Sequence, residues 1–210
     1  VAFLKSPVGQ MFHQFFGENM LRADVCNAVD ELGQLLYHTG PIAASERNAA
    51  RIFNADHCFF VTNGTSTSNT IVWHANVAPG DVVVVDRNCH KSHHYGAVLG
   101  GLQPYYVEAY PMKEYSMYGA VPLRVIKQGL LKLKAEGKLD RVRLLDLTNC
   151  TFDGHVYNTL RVMQECLAIK PDLVFLWDEA WFGFAHWSPF LRPRTAMGAA
   201  ATLEKYLRSP

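Results

Sequence analysis

Three short strings carry residue types that could do chemistry together. The apolar run Leu173-Val174-Phe175-Leu176-Trp177 delivers Asp178 at its end and continues into Glu179-Ala180-Trp181. A carboxylate at a strand's carboxyl end stands where open α/β sheets hold their ligands. The second string, Asn63-Gly64-Thr65-Ser66-Thr67-Ser68, is a small hydroxyl-rich turn ahead of a helical stretch. Such a turn offers unpaired N–H groups, the positive end of a helix dipole and hydroxyls, all suited to a phosphate dianion. The third, Asp86-Arg87-Asn88-Cys89-His90, follows a run of valines and sets an imidazole at another strand end. Together they describe a cradle for pyridoxal 5'-phosphate (PLP), an electron sink only while its pyridine nitrogen is protonated. Asp178 would hold that ring charge, and Gly64, Thr65, Ser66 and Thr67 would hold the phosphate. His90 would stack on one ring face with a nitrogen left for the substrate. Ala180, on the same strand face as Asp178, would pack the other side. Asn149 and Thr151 follow a further strand, from where they could reach the ring's phenolic oxygen or the substrate.

Each motif has a plainer reading. Gly64 to Ser68 alone would serve as a helix-capping turn. It also has part of the Gly-x-Ser-x-Gly nucleophile elbow, but Ser68 takes the last glycine's place, which argues against a hydrolase. His90, His93 and His94 share a helical face at a spacing that could bind zinc. The stacking role is preferred for His90 because the preceding strand brings it to the sheet's carboxyl edge. No metal is expected, and His93 and His94 are expected at the surface or an interface. Trp177 and Trp181 could be core aromatics, and Glu179, on the opposite strand face from Asp178, a structural group.

The strings Thr62–Thr67, Val85–Ser92, Thr148–Gly154 and Asp178–Trp181, in this order and spacing, resemble the major domain of the bacterial ornithine/lysine/arginine decarboxylases, PLP enzymes of the aspartate-aminotransferase fold type. His38-Thr39-Gly40-Pro41-Ile42 and Phe15-Phe16-Gly17-Glu18-Asn19 extend the likeness from about Phe3 to about Pro189. The resemblance implies Thr65, Ser66 and Thr67 as the phosphate turn, His90 as the stacking histidine, Asp178 as the pyridine carboxylate, and Ala180 and Trp181 as a cofactor-packing pair. It implies decarboxylation of lysine, ornithine or arginine to a diamine or agmatine by a cytoplasmic homodimer or higher homo-oligomer, with the first 40 residues approaching the partner subunit's site. It also implies a Schiff-base lysine in a Ser-x-His-Lys string beyond the Asp178 strand. No such string occurs before Pro210, and Lys205 lies in an amphipathic helical pattern without a preceding histidine. The expectation is therefore a fragment, inactive alone, of a longer parent with an amino-terminal receiver-like domain and a carboxyl-terminal domain. Two alternatives stay open: another reaction on the same fold, such as transamination, aldol cleavage or desulfuration, or a non-catalytic folded or dimerising module.

The elements that must position these residues are legible as alternating strands and helices. Strands are predicted at 57–61, 82–86, 104–108, 142–147 and 173–177. Helices are predicted at 45–53 (capped by Ser45), 66–75, 91–99, 122–136 and 157–169, with a turn at Pro79-Gly80-Asp81. Near-continuous apolar strands between helices imply an α/β domain, a mostly parallel sheet covered on both faces. Residues 1–40 read as an amino-terminal segment, and 41–210 as the PLP-binding large domain, truncated at its carboxyl end. Ala109 to Ala120 reads as a loop bordering the site. At 210 residues and 49% hydrophobic, the chain can bury a substantial core. A net charge of +1, from 20 basic and 19 acidic residues, gives no field to attract nucleic acid or an anionic membrane. Lysines 132, 134 and 138 among leucines read as the solvated face of a helix. Cys26, Cys58, Cys89, Cys150 and Cys166 are dispersed and odd in number, which fits a reducing compartment better than a disulfide framework. The longest apolar runs are strand-sized, and no membrane segment is expected.

Overall fold

Ser6 followed by Pro7 is a helix-start pair: the serine oxygen accepts the Gly9 N–H at 2.9 Å, and proline presets φ where no N–H is needed. This pair opens α1 (Pro7–Phe16) in the computed structural model, which describes residues 3–24 and 29–208. Gly17 breaks the helix at φ 80°, and α2 (Glu18–Arg22) follows. Next comes α3 (Gly40–Phe53), which begins upstream of the expected Ser45 cap because Pro41 presets its first turn after Thr39. The predicted strand at 57–61 does not form. The Phe60 N–H donates to the buried side chain of Glu46 at 2.9 Å instead of a ladder partner, and His38 Nδ1 meets the other Glu46 oxygen at 2.7 Å. The chain divides into two compact units, Val1–Phe60 and Val61–Pro210, and these elements make up the first.

The second unit opens with α4 (Gly64–Asn76), then runs through β1 (Val82–Asp86), α5 (Lys91–Gly100) and β2 (Gln103–Val107). A two-residue hairpin, β3 (Pro111–Met112) with β4 (Met117–Tyr118), occupies the stretch read as a loop. After it come α6 (Leu123–Ala135), β5 (Val142–Thr148), α7 (Thr159–Leu167), β6 (Val174–Asp178) and α8 (Ala196–Arg208). The four longer strands form one parallel sheet in the order β2-β1-β5-β6. β-Branched valines suit the interior strand β1, whose five residues are all buried. Progression from β1 goes one way to β2 and the other way to β5, so the order reverses beside β1, the place where such sheets open a crevice.

Alternation along the strands divides the core. Val82, Val84, Leu145 and Leu147 face α6 and α7, where they meet Ile126, Leu130, Val162 and Cys166. Val83, Val85 and Leu144 face the other way, toward Trp73 of α4 and Ala97 of α5. Trp73 packs against Gly96 of α5, where an added Cβ would meet the indole at 3.4 Å, in ordinary contact. Among the described residues no helix is long and apolar enough to cross a membrane, and Cys58, Cys89, Cys150 and Cys166 are free thiols; Cys26 lies outside the described residues.

Helix α6 tests the packing. Ile126, Leu130 and Leu133 are buried at helical spacing while Lys132 and Lys134 are exposed, as the leucine–lysine pattern requires. Leu130→Ala removes three carbons from a fully buried position and should cost about 2–5 kcal/mol. Lys132→Ala should stay within about 0.5 kcal/mol. Urea unfolding of both variants checks this; similar shifts for the two would contradict the assigned faces.

Candidate active site

The carboxyl ends of three adjacent strands converge on one cavity of about 420 Å³, a size that suits a cofactor-sized ligand. β1 leads into Asn88, Cys89 and His90, β5 ends on Thr148, and β6 ends on Asp178. Thr148 and Asp178 are register partners, so the two strands present them side by side. Thr65 and Ser66 close one wall from the first turn of α4, and Ser116, Met117 and Tyr118 of the hairpin close another. The hairpin thus borders the site, as its sequence position suggested.

The turn before α4 leaves backbone donors without a side-chain cap. Gly64 adopts φ 76°, and no side chain caps the helix's first amides. Thr65 and Ser66 line the cavity, whereas Gly64 and Thr67 do not. Thr67 instead accepts a 2.8 Å hydrogen bond from Asn63 Nδ2. The α4 terminus, the hydroxyls of Thr65 and Ser66 and the positive end of the helix dipole face the same space.

His90 caps α5: its Nδ1 accepts the Ser92 N–H at 3.2 Å and lies 2.9 Å from Ser92 Oγ. Accepting at Nδ1 puts the proton of the neutral ring on Nε2, which is left for the cavity. Cys89 lines the wall beside it, but burial and the neighbouring carboxylates push its thiol well above its ordinary value, so it stays protonated and is no nucleophile.

Asp178 is 5% exposed and heavily engaged. Oδ1 accepts the Ala180 N–H at 3.1 Å, and Oδ2 accepts from Asn69 Nδ2 and His93 Nε2, each at 3.0 Å. Burial alone would raise this carboxyl, but the bonds from His93, Ala180 and Asn69 outweigh it and hold Asp178 below its ordinary value. Ala180 lies past the strand end, in a turn that folds back onto Asp178, and still reaches the cavity wall. Trp181 is exposed at the rim and meets Phe152 edge to face, centroids 5.3 Å apart.

Thr151 also lines the cavity; its Oγ1 accepts the His155 N–H at 3.1 Å. Asn149 does not. Its amide is committed to Glu179 Oε1, the Arg194 carbonyl and the Tyr157 N–H, which makes it a scaffold residue. Glu179 has the structural role read for it, accepting from Asn149 and from the Ala196 N–H at 2.8 Å.

The expectation that His93 lies at the surface is overturned. His93 is fully buried, with Nε2 on Asp178 Oδ2 and Nδ1 2.5 Å from Asp146 Oδ2. The first turn of α5 points it inward because His90 caps the helix and His93 follows one turn later, under the sheet face that carries Asp146. Burial opposes its protonation, yet the two carboxylates prevail and raise its pKa to about 9. Asp146, buried in the middle of β5, and Asn69, one turn into α4, complete the cluster. The signal was there: a charged residue inside Leu144-Leu145-Asp146-Leu147 has to be paired when its strand is interior.

Residues 1–207 match the family model "Orn/Lys/Arg decarboxylase, major domain". The chain is 44% identical to lysine decarboxylase LdcA of Pseudomonas aeruginosa, with 97% of this chain and 28% of that protein covered. It is 38% identical to the biodegradative arginine decarboxylase of Escherichia coli, with 94% and 27% covered. Its fold superposes on the structure of the E. coli constitutive lysine decarboxylase with a TM-score of 0.78 at 35% identity, covering 93% of this chain and 27% of that one. The chain spans little more than a quarter of the length of these relatives. A match along nearly its whole length makes the chain a member of the Orn/Lys/Arg decarboxylase family, within the family's major domain.

Proposed function

We propose that the cavity is a PLP site, and that the protein to which this domain belongs decarboxylates a basic amino acid, lysine, ornithine or arginine, to the corresponding diamine or agmatine. The observation that carries this reading is the pairing of a buried, ionised Asp178 with an uncapped helix start across one cavity. A pyridinium and a phosphate dianion need those two groups at opposite ends of a planar ligand. The donor set fits: Thr148 Oγ1, in the wall beside Asp178, is buried without a hydrogen-bond partner and is available to a ligand oxygen.

When bound, PLP supplies a protonated ring that delocalises the electron pair left as carbon dioxide departs. The chain's own residues prepare that chemistry. Thr65 and Ser66, with the α4 amides, bind the phosphate, and Gly64 gives the turn its left-handed start; Thr67 shapes the turn through Asn63. Asp178 holds the proton on the ring nitrogen. His90 stacks on the ring with Nε2 toward the substrate carboxylate, while Ala180 packs the opposite face. Thr148 and Thr151 flank the phenolic oxygen, and Trp181 with Phe152 screens the rim from water. Residues 41–210 serve as part of the PLP-binding large domain, in a cytoplasmic homo-oligomer. The relatives' names, lysine, ornithine and arginine decarboxylases alike, support the reaction class and leave the side chain of the substrate open.

Two outcomes test the assignment in the full-length protein. Asp178→Asn is nearly isosteric yet cannot pair with the pyridinium as an ion; losing a buried pair of this kind costs about 3–5 kcal/mol, or roughly two to four orders of magnitude in kcat. Carbon dioxide release from each of the three amino acids measures it, and near-normal turnover would remove Asp178 from the role. Ser66→Ala deletes one hydroxyl from the dianion and should weaken PLP roughly ten- to hundredfold. Thr70→Ala, which loses only a 3.1 Å bond to the Ser66 carbonyl, should do much less. Equal losses in a PLP titration would mean that helix stability, not phosphate binding, is being read.

A further inference from the structure

Asp146 has no place in the cavity wall, yet it is fully buried in an interior strand of leucines and valines. A buried carboxylate is costly unless its charge is compensated. Two groups compensate it: Trp73 Nε1 donates to Oδ2 at 3.1 Å, and His93 Nδ1 lies 2.5 Å from the same oxygen. The other nitrogen of His93 meets Asp178. An imidazole between two ionised carboxylates serves both as the doubly protonated cation, since the neutral ring would turn a lone pair toward one of them. Asn69 and Ser92, which also border this cluster, are neutral, and the buried Asp86 of the neighbouring strand is a further carboxyl that feels the charge of Asp146. Burial pushes the Asp146 carboxyl up, while His93 and Trp73 pull it back down; with the proton on His93, the charges alternate along a line, Asp146 negative, His93 positive, Asp178 negative, and the line ends at the cavity.

We propose that Asp146 is a positioning residue for the ring proton: it holds His93 as an imidazolium, and His93 keeps Asp178 a weak enough base that the shared proton stays on the pyridine nitrogen. The inference rests on reading the cavity as a PLP site. A carboxylate and a pyridine nitrogen in a dry pocket can share one proton as an ion pair or as two neutral groups. A permanent cation behind the carboxylate favours the ion pair, because it opposes protonation of Asp178. Asp146 touches neither the cavity nor any ligand in it, so its effect travels entirely through His93.

Two measurements separate this role from a structural one. In the 210-residue chain without PLP, nitrogen-15 NMR should show both His93 ring nitrogens protonated at pH 7, and Asp146→Asn should leave only one. In the full-length protein loaded with PLP labelled at its ring nitrogen, the wild type should give the pyridinium resonance. Asp146→Asn should move it toward neutral pyridine. His93→Gln, which can still donate an N–H to Asp178 but carries no charge, should move it the same way and serves alone if Asp146→Asn does not fold. A singly protonated His93 in the wild-type chain overturns the proposal, as does an unmoved ring-nitrogen resonance in a folded, PLP-loaded variant. A wild-type full-length protein that takes up no PLP overturns the functional reading and this proposal with it. That failure is distinguishable, because the His93 measurement needs no cofactor.

Discussion

The contact on which the rest of the second unit depends is the buried imidazole of His93 between two carboxylates. It draws on three elements, with Asp146 from β5, Asp178 from β6 and His93 from α5, while Asn69 and Trp73 bring in α4. The side-chain alternation of both strands has to be in phase for this to work. Leu144 and Asp146 share one face of β5, and Asp178 presents itself to the same helices across the Thr148 register pair. A slip of one residue in either strand would turn a carboxylate into the apolar layer formed with α6 and α7. Polar networks of this kind specify an arrangement more sharply than an apolar core does, because a partly satisfied one is worse than none.

The same contact links packing to chemistry. α4 delivers Trp73 to the core, Asn69 to the carboxylate and Thr65 and Ser66 to the cavity, within one helix. α5 likewise delivers His93 inward and His90 outward, one turn apart. Moving either helix to relieve a packing defect would therefore shift a binding group by the same amount. Sites built on helices and strands hold their geometry better than sites on loops, and here even the wall from β3 and β4 is a short hairpin.

Much of this was legible in the sequence because the signals were local. The valine run at 82–85 and the apolar run ending at Asp178 became strands at nearly the expected bounds, and the Gly64 turn opened a helix as its hydroxyls and glycine suggested. Asp178, His90, Thr65, Ser66, Thr151, Ala180 and Trp181 line or rim one cavity although they come from four separate strings. What failed was non-local. The run at 57–61 has strand composition, but whether an extended segment pairs depends on a neighbour that local composition does not reveal, and Glu46 took the Phe60 N–H. Asn149 shares its string with Thr151, yet only the position of Arg194, far along the chain, decides that its amide is consumed by scaffold. His93 was misplaced because helical spacing groups it with His90 and His94, while the partner that buries it, Asp146, lies in another strand.

The account's central claim is that the cavity at the ends of β1, β5 and β6 holds PLP by its two polar ends. The most direct test is a crystal structure of the full-length protein with PLP. The account predicts the ring nitrogen within about 2.6–3.2 Å of an Asp178 carboxylate oxygen and the phosphate against the α4 amides with Thr65 and Ser66. PLP bound with its phosphate away from that helix start, or with its ring nitrogen facing anything but Asp178, would contradict it.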